Sequence, residues 1–374
     1  MSGIYLHIPF CKQACHYCDF HFSTNQSYRF ELCQALTEEI KLQQDYLPTK
    51  HLESIYFGGG TPSILSEPEL DLLVSVIRET FHISPGAEIT LEANPDDMSA
   101  EKLKHWHQVG INRLSVGVQS FDDGVLQSLN RSHTSHTALH SLEAARTAGF
   151  NNINLDLIFA IPGQTHEQLE NNLSLVEKIR PSHISAYSLT IEEKTAFGKW
   201  SKTGKLVPVG EEQSAQEFER IMDWAARCGY EQYEISNFAL PGLHARHNSN
   251  YWLGVPYLGV GPSAHSYNGS MRQHNHPNNH QYMRSIAARM IPATLEVLTP
   301  ENQVNEYILT SLRTSWGMDL SRLQNLSGKY YPELKAQLDS FIHLGMLINE
   351  TGKVKLTRKG KMIADRLAEE LFLA

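Results

Sequence analysis

Short apolar runs alternate with longer amphipathic stretches over the first half of the chain. Each run is brief and rich in β-branched residues, which is typical of strands buried on both faces of a parallel sheet. Strands are predicted at residues 4–8, 54–57, 88–92, 113–118, 152–159 and 183–189. Helices are predicted between them at residues 28–44, 68–81, 100–109, 135–148 and 166–179. These six β–α units predict an α/β fold, either a partial or complete barrel or an open doubly wound sheet.

The pattern changes twice after residue 211. A helix (212–228) and a strand (232–235) precede a stretch in which Gly, Pro, Asn, His and aromatic residues dominate and periodicity is weak. From residue 300, three helical patterns precede two short strands and a last helix, which is typical of a winged-helix-like domain. The chain is therefore divided into a β/α barrel core, an irregular His- and aromatic-rich segment packed on it, and a small helical domain, at residues 1–235, 236–295 and 296–374.

Composition narrows the class of protein. The 374 residues are 41% hydrophobic and 20% charged, as in ordinary globular proteins, and the net charge of −9 is spread without long runs of one sign. This charge argues against a nucleic-acid partner, because such proteins usually present a basic face. No signal peptide and no apolar run of about 20 residues is found, which predicts a cytoplasmic protein without a membrane span. Peripheral contact with a membrane stays open.

Three of the five cysteines follow the first predicted strand, as Cys11-x3-Cys15-x2-Cys18. Loops at the carboxyl ends of parallel strands carry the chemistry of α/β folds. Three thiolates on one loop are able to hold a [4Fe–4S] cluster and leave one iron open to another ligand. The alternatives are a plain buried turn or a zinc site, completed by His7, His16 or His21. The other two cysteines are interpreted as buried apolar residues, Cys33 and Cys228.

A glycine-rich motif, Gly58-Gly59-Gly60-Thr61-Pro62, follows the second predicted strand and so lies at the same edge of the sheet. Glycines let the backbone approach a ligand closely and adopt positive φ angles. Three glycines alone also make an ordinary turn. Together with the cysteine motif one strand earlier, they form a specific pattern.

These two motifs resemble those of the radical SAM superfamily. Further segments are similar to its HemN/HemW branch, at residues 5–11, 17–20, 56–58, 92–95, 113–121, 129–131 and 154–158. The resemblance covers nearly the whole chain. It implies a partial parallel (β/α)6, TIM-like barrel that binds a [4Fe–4S] cluster and S-adenosylmethionine.

The resemblance also implies roles for individual residues. The cluster ligands are Cys11, Cys15 and Cys18. The residues expected around S-adenosylmethionine are Tyr5, Tyr17, Gly59, Gly60, Thr61, Glu92, Gln119, Arg131 and Asp156. The chemistry is consistent, because Arg131 is able to pair with a carboxylate and the two acids accept from an ammonium or from ribose hydroxyls. The alternative for these three charged residues is an ordinary solvated position.

Two functions separate within this branch: oxygen-independent coproporphyrinogen III oxidation and the binding and delivery of haem as a chaperone. Three features favour the chaperone. The oxidase has a further cysteine where this chain has Phe20, and it has a leader before the first strand, which here starts at residue 3. Residues 246–252 match the H-N-x-x-Y-W motif of the chaperone. A third reading is a radical SAM enzyme of unknown reaction that acts on a porphyrin.

His247 of that motif is the predicted haem ligand, since imidazole is the usual axial ligand of haem iron. The alternative is a structural, hydrogen-bonded histidine. Arg246 or Arg272 is expected to pair with haem propionates, and His265 is a secondary candidate ligand. Pro262-Ser263, just before that residue, departs from the usual sequence of the branch and weakens any assignment of contacts to this loop. The expected partners are haem and haem-accepting proteins, and a homodimer remains open.

Overall fold

The computed structural model describes residues 2–373. The main feature of these residues is a sheet of twelve strands. In chain order the strands are β1 (Gly3–Ile8), β2 (His51–Gly59), β3 (His82–Ala93), β4 (Arg113–Gln119), β5 (Ile153–Phe159), β6 (His183–Ser188), β7 (Glu231–Glu234), β8 (Asn237–Ala239), β9 (Tyr257–Val260), β10 (His265–Tyr267), β11 (Met271–Asn275) and β12 (Ala293–Val297).

The centre of the sheet is parallel, in the order β9-β1-β2-β3-β4-β5-β6. Antiparallel strands extend both ends: β8 and β7 beyond β6, and β10, β11 and β12 beyond β9. Six consecutive strands in sequential order are a barrel arrangement, whereas a doubly wound sheet would reverse its order. Within residues 2–373 the end strands β7 and β12 do not pair, so the barrel is partial.

The curvature of the sheet is visible in what lines its interior. Cys11, just after β1, and Tyr187, on β6, belong to the wall of one cavity. In a flat sheet these strands would lie about 24 Å apart, at about 4.8 Å per step. The sheet therefore wraps around the cavity, and the fold class predicted from the sequence is confirmed.

Helices cover the outer face of the sheet. They are α1 (Arg29–Leu42), α2 (Glu67–Thr80), α3 (Ala100–Gln108), α4 (Asp123–Ser128), α5 (Ser135–Thr147), α6 (His166–Ile179), α7 (Ala196–Lys202), α8 (Glu211–Arg227) and α10 (Asn279–Ala287). Helix α9 (Arg246–Trp252) lies instead on the inner face, where the His247 ring stacks on Tyr56 of the cavity wall. Local sequence explains several of their starts. Ser66 begins α2 in a capping box with Glu69, and Glu69 also pairs with Arg29 of α1 at 2.9 Å. None of the helices in residues 2–373 combines the length and apolar character that a membrane span needs.

Residues after 298 form a second apolar cluster, made by helices and a small sheet. These elements are α11 (Pro300–Leu312), β13 (Met318–Asp319), α12 (Leu320–Ser327), α13 (Tyr331–His343), β14 (Leu347–Glu350), β15 (Lys353–Leu356), α14 (Arg358–Lys361) and α15 (Ala364–Glu370). The sheet order is β13-β15-β14, antiparallel. The expected last helix is divided in two, because Ile363 adopts a non-helical φ of −134°. The domain boundaries at 235 and 295 stay predictions.

The segment 236–295 has more regular structure than its composition indicates, with strands β8–β12 and helices α9 and α10. A buried carboxylate on α1 orders much of it. Glu39 accepts hydrogen bonds from the Gly261 amide (2.7 Å), the Asn275 side chain (2.7 Å) and the Tyr282 hydroxyl. These partners lie more than 200 residues away in sequence, so no local pattern indicates them.

Candidate functional site

The loop after β1 carries the three clustered cysteines and is tied down along its length. The Cys11 amide donates to the Ser23 carbonyl (3.0 Å), and the Ser23 amide donates to the Pro9 carbonyl (2.9 Å). In the middle of the loop, the Asn130 side chain donates to the Ala14 carbonyl (2.7 Å). These contacts fix the loop between its own strand and the turn after α4.

The thiols of Cys11, Cys15 and Cys18 line one side of a cavity of about 650 Å3, which we call the cysteine cavity. Thr61 Oγ1 donates to the sulfur of Cys11 (3.4 Å), and Arg131 Nη1 donates to that of Cys15 (3.3 Å). Donors directed at sulfur stabilise thiolates. Burial raises the pKa of the free Cys11 thiol to about 11, so ionisation there needs a strong cation such as cluster iron.

The donor set fits a cluster better than a single ion. Among residues 2–373, no three His, Cys, Asp or Glu side chains converge tightly enough to hold one metal ion. A cluster demands less convergence, because each thiolate binds a different iron. The hydrogen-bond donors at two of the sulfurs are of the kind that tune iron–sulfur clusters.

The glycine motif brings β2 against the cysteine loop. Gly59 has a φ of +111°, which favours glycine, and its amide donates to Glu92 Oε2 at 3.1 Å. At Gly60, a Cβ atom would lie 2.6 Å from the Phe10 carbonyl oxygen and 2.8 Å from its amide nitrogen. Only glycine fits there, because both neighbours are backbone atoms next to the first cysteine.

Arg131 is enclosed by protein groups at the ends of two strands. Its Nη2 atom donates to Asn94 Oδ1 (2.8 Å) and to the Gly117 carbonyl (2.7 Å), and Nη1 lies 3.4 Å from the Tyr17 hydroxyl. Its Nε atom is buried and has no hydrogen-bond partner in the described chain. The guanidinium is therefore held by protein groups at both Nη atoms beside the cavity, and its charge is one that an anionic ligand group would pair with.

Two acids line the same cavity as this cation. Glu92 accepts from the Tyr56 hydroxyl (2.8 Å), and Asp156 accepts from the side chains of Asn154 (2.7 Å) and Ser115 (3.4 Å). Burial raises the pKa of Glu92 to about 7 and also raises the pKa of Asp156. Each retains acceptor capacity for an ammonium or a hydroxyl.

Gln119 reaches the same cavity through a strained turn at the end of β4. Its φ of +70° is left-handed, and the pairing of β4 with β5 shifts register between Gly117 and Gln119. A Cβ on Gly117 would lie 3.1 Å from Gln119 Nε2 and 3.2 Å from Arg131 Nη2. The two polar side chains therefore lie together over this glycine.

The structure gathers most of the predicted residues around the cysteine cavity: Cys11, Cys15, Cys18, Tyr17, Gly59, Gly60, Thr61, Glu92, Gln119, Arg131 and Asp156. It does not bring Tyr5 there. The Tyr5 hydroxyl lies 3.1 Å from His7 Nδ1, its ring stacks on Tyr56, and it lines a second cavity instead.

His247 also lies outside the cysteine cavity. It is 1% exposed, and its Nδ1 and Nε2 atoms lie 2.8 Å from Ser54 Oγ and 2.7 Å from the Tyr251 hydroxyl. Its amide donates to Glu88 Oε1 (2.9 Å), and burial lowers the pKa of its ring to about 3. Iron ligation by His247 would require one of these ring contacts to open.

Some cavity residues were missed by the sequence reasoning: Tyr56, Asn94, Ser115, Asn154 and Tyr187. One of them could have been predicted, because side chains two residues apart on a strand point to the same face. Asn154 is two residues before Asp156 on β5, so the two side chains share a face. Asn94 contacts a residue from a distant turn, which no local pattern indicates.

Glu92→Gln is expected to flatten the pH dependence of stability in the metal-free protein. Burial raises the pKa of this carboxyl from 4.5 to about 7, so the folded chain keeps the proton to higher pH than the unfolded chain. The corresponding stability is fully present below pH 4.5 and is lost as the pH rises through 7, by about 3 kcal/mol. Urea unfolding between pH 4.5 and 8 measures this slope.

The exposed Glu101→Gln is the matched control and should keep the wild-type slope. A constant offset is expected in Glu92→Gln, because one acceptor oxygen is lost. Equal slopes in the wild type and in Glu92→Gln would contradict the burial of this carboxyl.

Comparison with families of known proteins gives two matches. Residues 5–176 match the model of the "Radical SAM superfamily", and residues 298–363 match that of the "HemN C-terminal domain". Among solved structures, coproporphyrinogen III oxidase (HemN) from Escherichia coli, a radical SAM enzyme, superposes with a TM-score of 0.86. It covers 99% of this chain and 90% of its own at 24% identity, which establishes the fold alone.

Curated relatives match over their full length. The chain is 38% identical to the heme chaperone HemW of Bacillus subtilis (strain 168), over 98% of both proteins. It is 31% identical to the heme chaperone HemW of Escherichia coli (strain K12), over 100% of this chain and 98% of that protein. A 34% identical relative from Lactococcus lactis subsp. lactis (strain IL1403) has the same name.

Proposed function

The chain belongs to the HemW family of the radical SAM superfamily, and from this premise we propose that it is a haem chaperone of the cytoplasm. It would bind haem, hold a [4Fe–4S] cluster with S-adenosylmethionine, and deliver haem to acceptor proteins. The observation that carries the proposal is the identity of 31–38% with relatives named heme chaperone HemW over almost their whole length. Phe20, in place of the additional cysteine of the oxidase, supports the same choice.

The proposed cluster ligands are Cys11, Cys15 and Cys18, and the iron without a cysteine would bind the amino and carboxylate groups of S-adenosylmethionine. When bound together, cluster and S-adenosylmethionine supply one-electron chemistry. The protein's part is to position them. Arg131 supplies positive charge at the cavity wall for an anionic group, and Glu92 is an acceptor for a cationic or hydroxyl group.

The H-N-x-x-Y-W motif is proposed to belong to the haem-binding part of the chain. Its last two residues, Tyr251 and Trp252, line the second cavity, whereas His247 lies behind them with its Nε2 atom 2.7 Å from the Tyr251 hydroxyl. Ligation by His247 stays a prediction. It requires the ring to leave this contact.

The test is an anaerobic haem titration of the reconstituted protein, followed through its Soret band, with His247→Ala in parallel. We expect stoichiometric binding by the wild type and passage of haem to an apo-acceptor. Loss of binding in His247→Ala would place the ligand there, whereas retained binding would leave this histidine a structural role. If the wild type does not bind haem, the proposal fails and coproporphyrinogen is the first substrate to try.

The proposed haem function does not by itself require a cluster. We propose that the cluster controls dimerisation or haem release. The support is the position of the cysteine loop, because Asp19 and Phe20 line both the cysteine cavity and the second cavity.

A further inference from the structure

A second cavity of about 790 Å3 lies between strands β9 and β10 and helices α11 and α12. Its volume is within the range of roughly 300–1,000 Å3 that ligand sites occupy. Aromatic side chains dominate its wall: Tyr5, Phe20, Tyr251, Trp252, Tyr257, Tyr267 and Tyr307. Such a wall suits a large flat apolar ligand.

The cavity also contains cations. Arg272 pairs with Glu306 at 3.0 Å, so its charge is already compensated. Arg322 lies over the Tyr307 ring at 4.5 Å and forms no ion pair with any residue of the described chain. A free guanidinium at the edge of an aromatic cavity is suited to a carboxylate of the ligand.

One histidine of the cavity wall has free ring nitrogens. His265 is exposed, and no hydrogen bond to its ring is found within residues 2–373. The two other histidines of the wall are engaged: both ring nitrogens of His7 have partners, and His21 Nε2 lies 2.7 Å from Asn279 Oδ1.

Strand geometry places His265 on the same side as the groups described above. His265 and Tyr267 are two residues apart on β10, so their side chains share a face. Tyr267 pairs with Arg272 of β11, and His265 pairs with His274, whose ring stacks on it at 5.6 Å. The imidazole of His265, the ring of Tyr267 and the guanidinium of Arg272 therefore line the cavity from the paired strands β10 and β11.

We propose that the second cavity is the haem site, with His265 as the axial ligand of the iron and Arg322 as a propionate partner. This inference rests on the proposed function and names the place where the haem binds. The tyrosines and Trp252 form the wall against the macrocycle. The residue is exposed overall, but partial desolvation of its ring against the cavity wall lowers the pKa of His265, which favours the neutral imidazole whose lone pair binds iron.

The location explains how two cofactor sites share one chain. Asp19 and Phe20 follow the last cluster cysteine and line both cavities. Phe20 is 73% exposed, so its ring is accessible to a ligand bound in either cavity. Haem in the second cavity would contact Phe20. A conformational change of the cysteine loop would therefore move a residue that contacts the haem.

The experiment compares haem with iron-free protoporphyrin IX, each titrated into wild type, His265→Ala and His274→Ala. His274 is the matched control, because its ring stacks on His265 but does not line the cavity. We expect haem affinity to fall at least about tenfold in His265→Ala only, with a changed Soret band and a changed ferric electron paramagnetic resonance spectrum. Added imidazole should restore the wild-type spectrum. Protoporphyrin affinity should not change, which excludes misfolding as the cause.

Arg322→Gln tests the second contact and should weaken haem and protoporphyrin to the same extent, because both carry propionates. Wild-type haem affinity and spectrum in His265→Ala would overturn the inference while leaving the proposed chaperone function intact. An equal loss in His274→Ala would also overturn the assignment of the ligand. A wild type that binds no haem would instead refute the proposed function itself.

Discussion

Replacement of Cys11, Cys15 and Cys18 together by alanine is expected to abolish the cluster and the binding of S-adenosylmethionine. Iron content after anaerobic reconstitution should fall from about four atoms per chain to almost none, because no thiolate remains to hold the cluster. S-adenosylmethionine binding should be lost with it, since the open iron is the proposed anchor of its amino and carboxylate groups. Iron and sulfide analysis and equilibrium dialysis measure the two losses.

The fold should survive this triple substitution. All three side chains are only partly buried and lie on a loop that is held by backbone hydrogen bonds, so little apolar packing is lost. Cys33→Ala is the control for the loss of a cysteine outside the proposed cluster site. Cys33 is buried in the main core, and its truncation should lower the free energy of unfolding by about 1–2 kcal/mol while the cluster remains. Reconstitution of a normal cluster in the triple variant would contradict the ligand assignment.

The same triple variant decides what the cluster is for. If the cluster controls haem release or dimerisation, the variant should bind haem but differ from wild type in the rate of haem transfer or in its oligomeric state. Unchanged transfer and an unchanged oligomer would refute that role. Transfer to an apo-acceptor and light scattering are the measurements.

The parts of the fold that the sequence predicts are those that local chemistry determines. Six buried apolar strands and their amphipathic helices are confirmed within about three residues, because periodicity and caps such as Ser66 act over one or two turns. The exception is β3, which was predicted at 88–92 and begins six residues earlier, at His82. The cysteine loop and the glycine motif come together because adjacent parallel strands end at the same edge of a sheet. This rule needs only the order of the strands.

What the sequence could not predict depends on contacts between distant segments. Tyr5 and His247 were assigned from the resemblance, and their surroundings depend on how α9 packs against β2. The backbone amides of Arg246 and His247, at the start of α9, donate hydrogen bonds to Glu88, which lies about 160 residues earlier in the sequence. The second cavity is formed by the sheet and the C-terminal helices together. None of these neighbours has a signature in the local pattern.

Gly60→Ala is expected to damage stability and cofactor binding together. The new Cβ atom would lie 2.6 Å and 2.8 Å from backbone atoms of Phe10, and 3.0 Å from the Ile8 carbonyl oxygen. Rigid backbone neighbours cannot rotate away, so the cysteine loop or β2 must shift, at a cost of about 1–3 kcal/mol in the free energy of unfolding. Urea unfolding should show a lower midpoint with an unchanged slope.

The matched control is Gly210→Ala, because a Cβ there meets nothing within 4 Å and the φ of −68° suits alanine. Its cost should be about 1 kcal/mol or less, which is the difference between glycine and alanine at a helix N-cap. The decisive readout is S-adenosylmethionine affinity, which we expect to fall at least about tenfold in Gly60→Ala alone. Phe10 is bonded to Cys11, so a displacement of Phe10 by the new Cβ atom also displaces this proposed cluster ligand. Normal affinity in a destabilised Gly60→Ala protein would show that the two motifs are adjacent but not mechanically coupled.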